Sequence, residues 1–62
     1  MQNKLYFVRW LLDGRVATED RFANLEDAKR HAMDEIKLYR TLGLATSALI
    51  CDDDGKEHMR VF

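Results

Sequence analysis

Leu5-Tyr6-Phe7-Val8-Arg9-Trp10-Leu11-Leu12-Asp13-Gly14-Arg15-Val16-Ala17-Thr18-Glu19-Asp20-Arg21-Phe22 sets an Asp-Gly pair between two β-prone runs. Glycine accepts positive φ without steric cost and aspartate caps the turn, so the pair marks a β-hairpin. Strands are predicted over Leu5–Leu12 and Arg15–Phe22. The same signature returns at Asp54-Gly55 and predicts a second hairpin, Thr46–Asp52 with Lys56–Phe62.

The segment between the hairpins reads as a helix over Leu25–Leu42. Asn24 is a good N-cap, and Glu26 and Asp27 stand where the helix dipole favours negative charge. Leu25, Ala28, Ala32, Ile36 and Tyr39 recur at helical spacing and form one stripe. Gly43 is the expected stop. Glu26 and Arg30 are spaced for an i,i+4 pair worth a few tenths of a kcal/mol. Small residues at the centre of the stripe let the helix lie close on a sheet, with Asp34 and Leu38 turned outward.

The element order is therefore ββαββ, an α+β fold. It is expected as a single domain over residues 1–62, a four-stranded antiparallel sheet with one helix packed on one face. Leu5–Leu12 is apolar on both sides, which argues for an interior strand. Lys56–Phe62 carries Glu57, His58 and Arg60 and reads as an edge, where charge discourages further pairing.

The turn sets which strand residues meet. A two-residue loop pairs Leu11 with Val16 and Leu5 with Phe22, giving a core face of Leu5, Phe7 and Leu11. A three-residue loop with a bulge mixes the sets. The first is preferred for its clean core face. It leaves Tyr6, Val8, Trp10 and Leu12 on the other side, fringed by Arg15 and Arg21, a composition typical of interface cores and rims. One helix covers one face only, so a second subunit is expected over this set. The plainer account is that these residues are themselves the helix-facing core.

Size points the same way. A folded chain of 7.3 kDa buries ~6,400 Å² on folding. At ~25 cal/mol per Å² over the apolar part, about 60% of that area, burial contributes ~95 kcal/mol. Ordering 62 residues costs ~93 kcal/mol at about 1.5 kcal/mol each. A lone copy is marginal, and a partner would help.

Composition excludes several classes. With 47% hydrophobic and 34% charged residues the chain is a globule rather than a disordered segment. Its net charge of −1 lacks the basic excess of nucleic-acid binders. A single cysteine, Cys51, cannot form an internal disulfide, which points to the cytoplasm. The apolar run through Leu12 is broken by Arg9 and too short for a bilayer, and the Met1 region shows no leader. No membrane is expected.

The chemistry-bearing residues do not assemble into a catalytic pattern. Asp52-Asp53-Asp54-Gly55 aligned as an EF-hand puts Ile50 at the first ligand position and Val61 at the twelfth, so it reads as a solvated acidic turn. Cys51 and His58 would face each other across the second hairpin, but with no orienting third group or oxyanion hole in sight. His31, between Asp27 and Glu35, reads as exposed. No enzyme, metal or cofactor is implied. Lys29, Lys37 and Arg40 line one helix flank and are candidate electrostatic or phosphate contacts. Asp27, Asp34 and Glu35 on the opposite flank leave the helix electrically split, so nucleic acid stays the lesser alternative.

Tyr6-Phe7-Val8, the Asp13-Gly14 turn, Asn24-Leu25-Glu26-Asp27-Ala28 and the closing Asp52-Asp53-Asp54-Gly55 together resemble small bacterial ββαββ domains of unknown function, also found in phages and mobile elements. The resemblance covers nearly the whole chain and implies the fold, but brings no site residue. The functional expectation is a small protein-interaction module, homodimeric through its open sheet face and binding another protein. A phage- or mobile-element-encoded inhibitor of a host complex is its more specific form.

Overall fold

The computed structural model describes residues 4–62; the Met1 region, where no leader is expected, lies outside them. Strands β1 (Tyr6–Leu12) and β2 (Arg15–Phe22) form the first hairpin, followed by helix α1 (Leu25–Thr41). Strands β3 (Ser47–Asp52) and β4 (Glu57–Val61) form the second. All pairings are antiparallel and the strand order is β2-β1-β3-β4, so β1 is interior and β4 an edge, as expected.

Local chemistry accounts for the elements. Asp13 (φ 54°) and Gly14 (φ 78°) both take positive φ, which matches the right-handed twist of the flanking strands. The Asn24 side chain accepts from the backbone N–H groups of Glu26 and Asp27 at 2.8 and 3.3 Å. At the other end Gly43 (φ 72°) donates to Arg40 O and Leu44 donates to Tyr39 O, a Schellman closure. Glu26 pairs with Lys29 at 3.6 Å rather than with Arg30.

The helix stripe is as read. Ala28, Ala32 and Ile36 are buried, Leu25 and Tyr39 pack at its ends, and Leu38 is 50% exposed. The sheet face it covers is the opposite of the one expected. Val8 and Trp10 are 0% exposed and form the core with the helix alanines, Ala45, Ala48 and Ile50. Tyr6 and Phe22 are packed against that core.

The cause is a bulge. Leu11 pairs with Val16 as the two-residue turn dictates, but Trp10 pairs with Thr18, leaving Ala17 as the extra residue. Beyond it the register shifts by one, so Phe22 meets Tyr6 and Asp20 meets Val8. Without the shift Arg21 and Glu19 would lie beneath the helix with Tyr6 and Val8. The bulge instead gives the helix face Phe22 and a carboxylate that the buried indole needs.

Candidate functional site

Among the described residues, three assemblies bring polar, aromatic or charged side chains together. The first is under the helix. Trp10 Nε1 donates to Asp20 Oδ2 at 2.9 Å, and His31 Nε2 reaches the same oxygen at 3.1 Å. Trp10 stacks on Tyr39 with ring centroids 4.0 Å apart, and His31 packs against Trp10 and Phe22. Burial followed by the nearby Asp20 and Glu35 charges pushes the Tyr39 phenol above its ordinary pKa. His31 is therefore half-buried and engaged, not the free surface residue its sequence neighbours imply.

The second assembly closes the β3–β4 turn. Asp52 Oδ1 accepts from the backbone N–H groups of Asp54 and Lys56 at 2.9 and 3.0 Å. Its Oδ2 lies 2.8 Å from His58 Nε2 and 3.5 Å from Lys4 Nζ. The hydrogen bond with His58, more than the two backbone N–H groups and Lys4, holds this carboxyl well below the usual carboxylate range against the opposing effect of burial. Asp52 is thus a buried hydrogen-bonding hub, while Asp53 and Asp54 are exposed as a solvated turn requires. The three carboxylates converge within 4.8 Å, but both oxygens of Asp52 are already occupied by donors.

Cys51 does not face His58. A second bulge pairs Cys51 with Glu57 and turns His58 to the helix side, edge-on to Tyr6. Cys51 itself shares a sheet face with Phe7, its partner in β1. Thiol and imidazole lie on opposite sides of the sheet.

The third assembly is the sheet face without a helix. Its register rows are Arg21–Phe7–Cys51–Glu57, then Glu19–Arg9–Leu49–Arg60, then Val16–Leu11–Ser47. Phe7, Leu11 and Leu49 are half-buried and Val16 is exposed. Arg9 Nε donates to Glu19 at 2.8 Å, and Arg60 makes two bonds to Glu57 at 3.0 and 3.3 Å.

Most of the interface set read from sequence is elsewhere. Val8 and Trp10 are sealed under the helix, Tyr6 is packed beside them, and half-buried Leu12 stands opposite exposed Arg15 at the turn. Only Arg21 lies on the open face, opposite Phe7. Of the helix-flank cations, Lys29 is paired with Glu26, Arg40 Nε donates to Thr46 O at 3.3 Å, and Lys37 is exposed. The face that is open, centred on Phe7 and Leu49, was visible in the sequence only as the two-sided apolarity of β1.

Among the described residues no helix is long and apolar enough to cross a membrane. Comparison with protein-family models, with curated proteins and with solved structures finds no match.

Proposed function

We propose that this chain is a small non-enzymatic protein-interaction module that acts in the cytoplasm by binding protein through the sheet face opposite the helix. The observation that carries the reading is the uneven cover of the sheet. One side is sealed by the alanine stripe of α1, while among the described residues no helix or strand lies above Phe7, Leu11, Leu49 and Val16 on the other. Apolar side chains gathered on one face and rimmed by charge are the composition of a contact surface. The separation of Cys51 from His58 supports the non-enzymatic part, and the lone thiol of Cys51 supports a reducing compartment.

Phe7→Glu tests the surface. Circular dichroism and a thermal melt should show a folded protein, and association with itself or with proteins retained from its host should be lost. Met33→Glu, on the exposed side of the helix, should leave association unchanged. A folded Phe7→Glu variant that associates as wild type does would refute this surface.

A further inference from the structure

We propose that the occupant of the open face is a second copy of this chain, docked about a two-fold axis that runs parallel to the strands between β1 and β3. This rests on the reading that the open face is the contact surface, and adds to it the partner and its orientation.

The argument is the order of charges on the two outer strands. In the first row β2 contributes Arg21 and β4 contributes Glu57; in the second, β2 contributes Glu19 and β4 contributes Arg60. The signs on these outer strands are reversed between the strands and between the rows, and Arg9, the fifth charge of the face, is salt-bridged to Glu19 in the second row. A face of one sign would call for a partner of the other. This pattern complements itself.

The axis between β1 and β3 lays β2 of one copy over β4 of the other, row on row. Arg21 then stands over the partner's Glu57, and Glu19 over the partner's Arg60. An isologous contact repeats each pair, so every rim charge meets its opposite. Sheets stacked face to face keep their strands nearly aligned at ~10 Å, a gap that arginine and glutamate side chains span from opposite sides. Glu57 and Arg60 pair along their own strand in the single copy, and a carboxylate has lone pairs for a second cation.

The interior fits the same axis. Phe7 lies over the row of the partner's Cys51, the smallest apolar side chain of the face, which is already covered to 2% exposure within its own copy and so leaves the ring room rather than a ridge. Arg9 enters already neutralised by Glu19 and lays its aliphatic stem on the partner's Leu49. Leu11 covers the partner's Ser47.

Sedimentation equilibrium on the full chain and four variants tests the arrangement, with circular dichroism as the check on folding. Wild type should be a dimer at micromolar concentration. Arg21→Glu and Glu57→Arg singly should each raise the dissociation constant about tenfold or more, since each sets like charges face to face twice. The double variant R21E/E57R should recover wild-type self-association to within about threefold, yet fail to mix with wild-type chains. An axis across the strands would instead lay Arg21 over the partner's Glu19. Recovery by E19R/R21E and not by R21E/E57R would therefore overturn the proposed axis. A wild-type chain that stays monomeric to ~100 μM, a weak limit on the affinity scale, would overturn the second copy. In that case the contact-face reading survives if Phe7→Glu abolishes capture of a host protein, and falls with the dimer if it does not.

Discussion

Trp10 and Asp20 are joined across the first hairpin by an indole-to-carboxylate hydrogen bond of 2.9 Å, and His31 ties the same oxygen to the helix. A tryptophan with 0% exposure buries a large apolar surface but carries one donor that must be satisfied. Asp20 supplies the acceptor only because the Ala17 bulge brings it to the helix side. Sheet register, core packing and helix docking therefore meet at one carboxylate.

Replacing Asp20 with valine should strand the indole N–H and cost about 1–3 kcal/mol in urea denaturation. Asp20→Asn keeps an acceptor and should cost less. In a Trp10→Phe background the Asp20→Val penalty should shrink, because the donor is gone. Equal penalties in both backgrounds would show that Asp20 matters for some reason other than the indole.

The alanine stripe sets how closely helix and sheet approach. Ala28 and Ala32 are both 0% exposed against the core. Ala32→Leu should destabilise by about 1–3 kcal/mol through overpacking, and Trp10→Ala by about 3–5 kcal/mol through the cavity it leaves. Leu38→Lys, at a half-exposed position, should change stability by no more than ~0.5 kcal/mol. A large loss from Leu38→Lys would put the helix in another orientation.

The elements were legible because their signals are local. Asp13-Gly14 and Asp54-Gly55 sit between β-prone runs, Asn24 caps the helix, and the Leu25 to Tyr39 stripe follows one period. The covered face was not legible, because β1 is apolar on both sides and only pairing decides which side meets the helix. That pairing turns on Ala17, a residue with no mark of a bulge, and the second bulge at His58 is equally silent. The same two shifts separate Cys51 from His58 and move the open face from Val8 and Trp10 to Phe7 and Leu49. His31 could have been placed only once Asp20 was known to point at the helix.

Asp52 should make stability sensitive to acid. Its folded pKa is depressed below the ordinary value of 3.8, first by the hydrogen bond with His58. A depressed carboxylate contributes stability that is present above its unfolded pKa and is lost as pH falls toward the folded value. Glu57, held low by Arg60, adds to the same limb. Chemical denaturation should thus show a plateau near neutrality and a decline below about pH 4. Asp52→Asn should be less stable at neutral pH, with a shallower decline in acid. Parallel curves for the two proteins would show that Asp52 does not supply the acid limb.

The bulge offers the most direct test of why the helix chose its face. Leu11 meets Val16 and Trp10 meets Thr18, so Ala17 is the only residue between two intact pairs. Deleting Ala17 removes the irregularity but preserves every other partner. Val16 stays on the open face, exposed Thr18 stays opposite Trp10, and Asp20 and Phe22 stay on the helix side. The added local twist is lost, yet no core contact is. The deletion variant should therefore fold, with stability within about 1 kcal/mol of wild type, a buried tryptophan fluorescence spectrum and a slowly exchanging indole proton. Inserting one alanine between Thr18 and Glu19 is the contrary case. It would push Asp20 and Phe22 to the open face unless a further bulge formed, stranding the Trp10 donor. A deletion variant with a solvent-exposed tryptophan, or an insertion variant with a buried one and unchanged stability, would show that register does not choose the covered face.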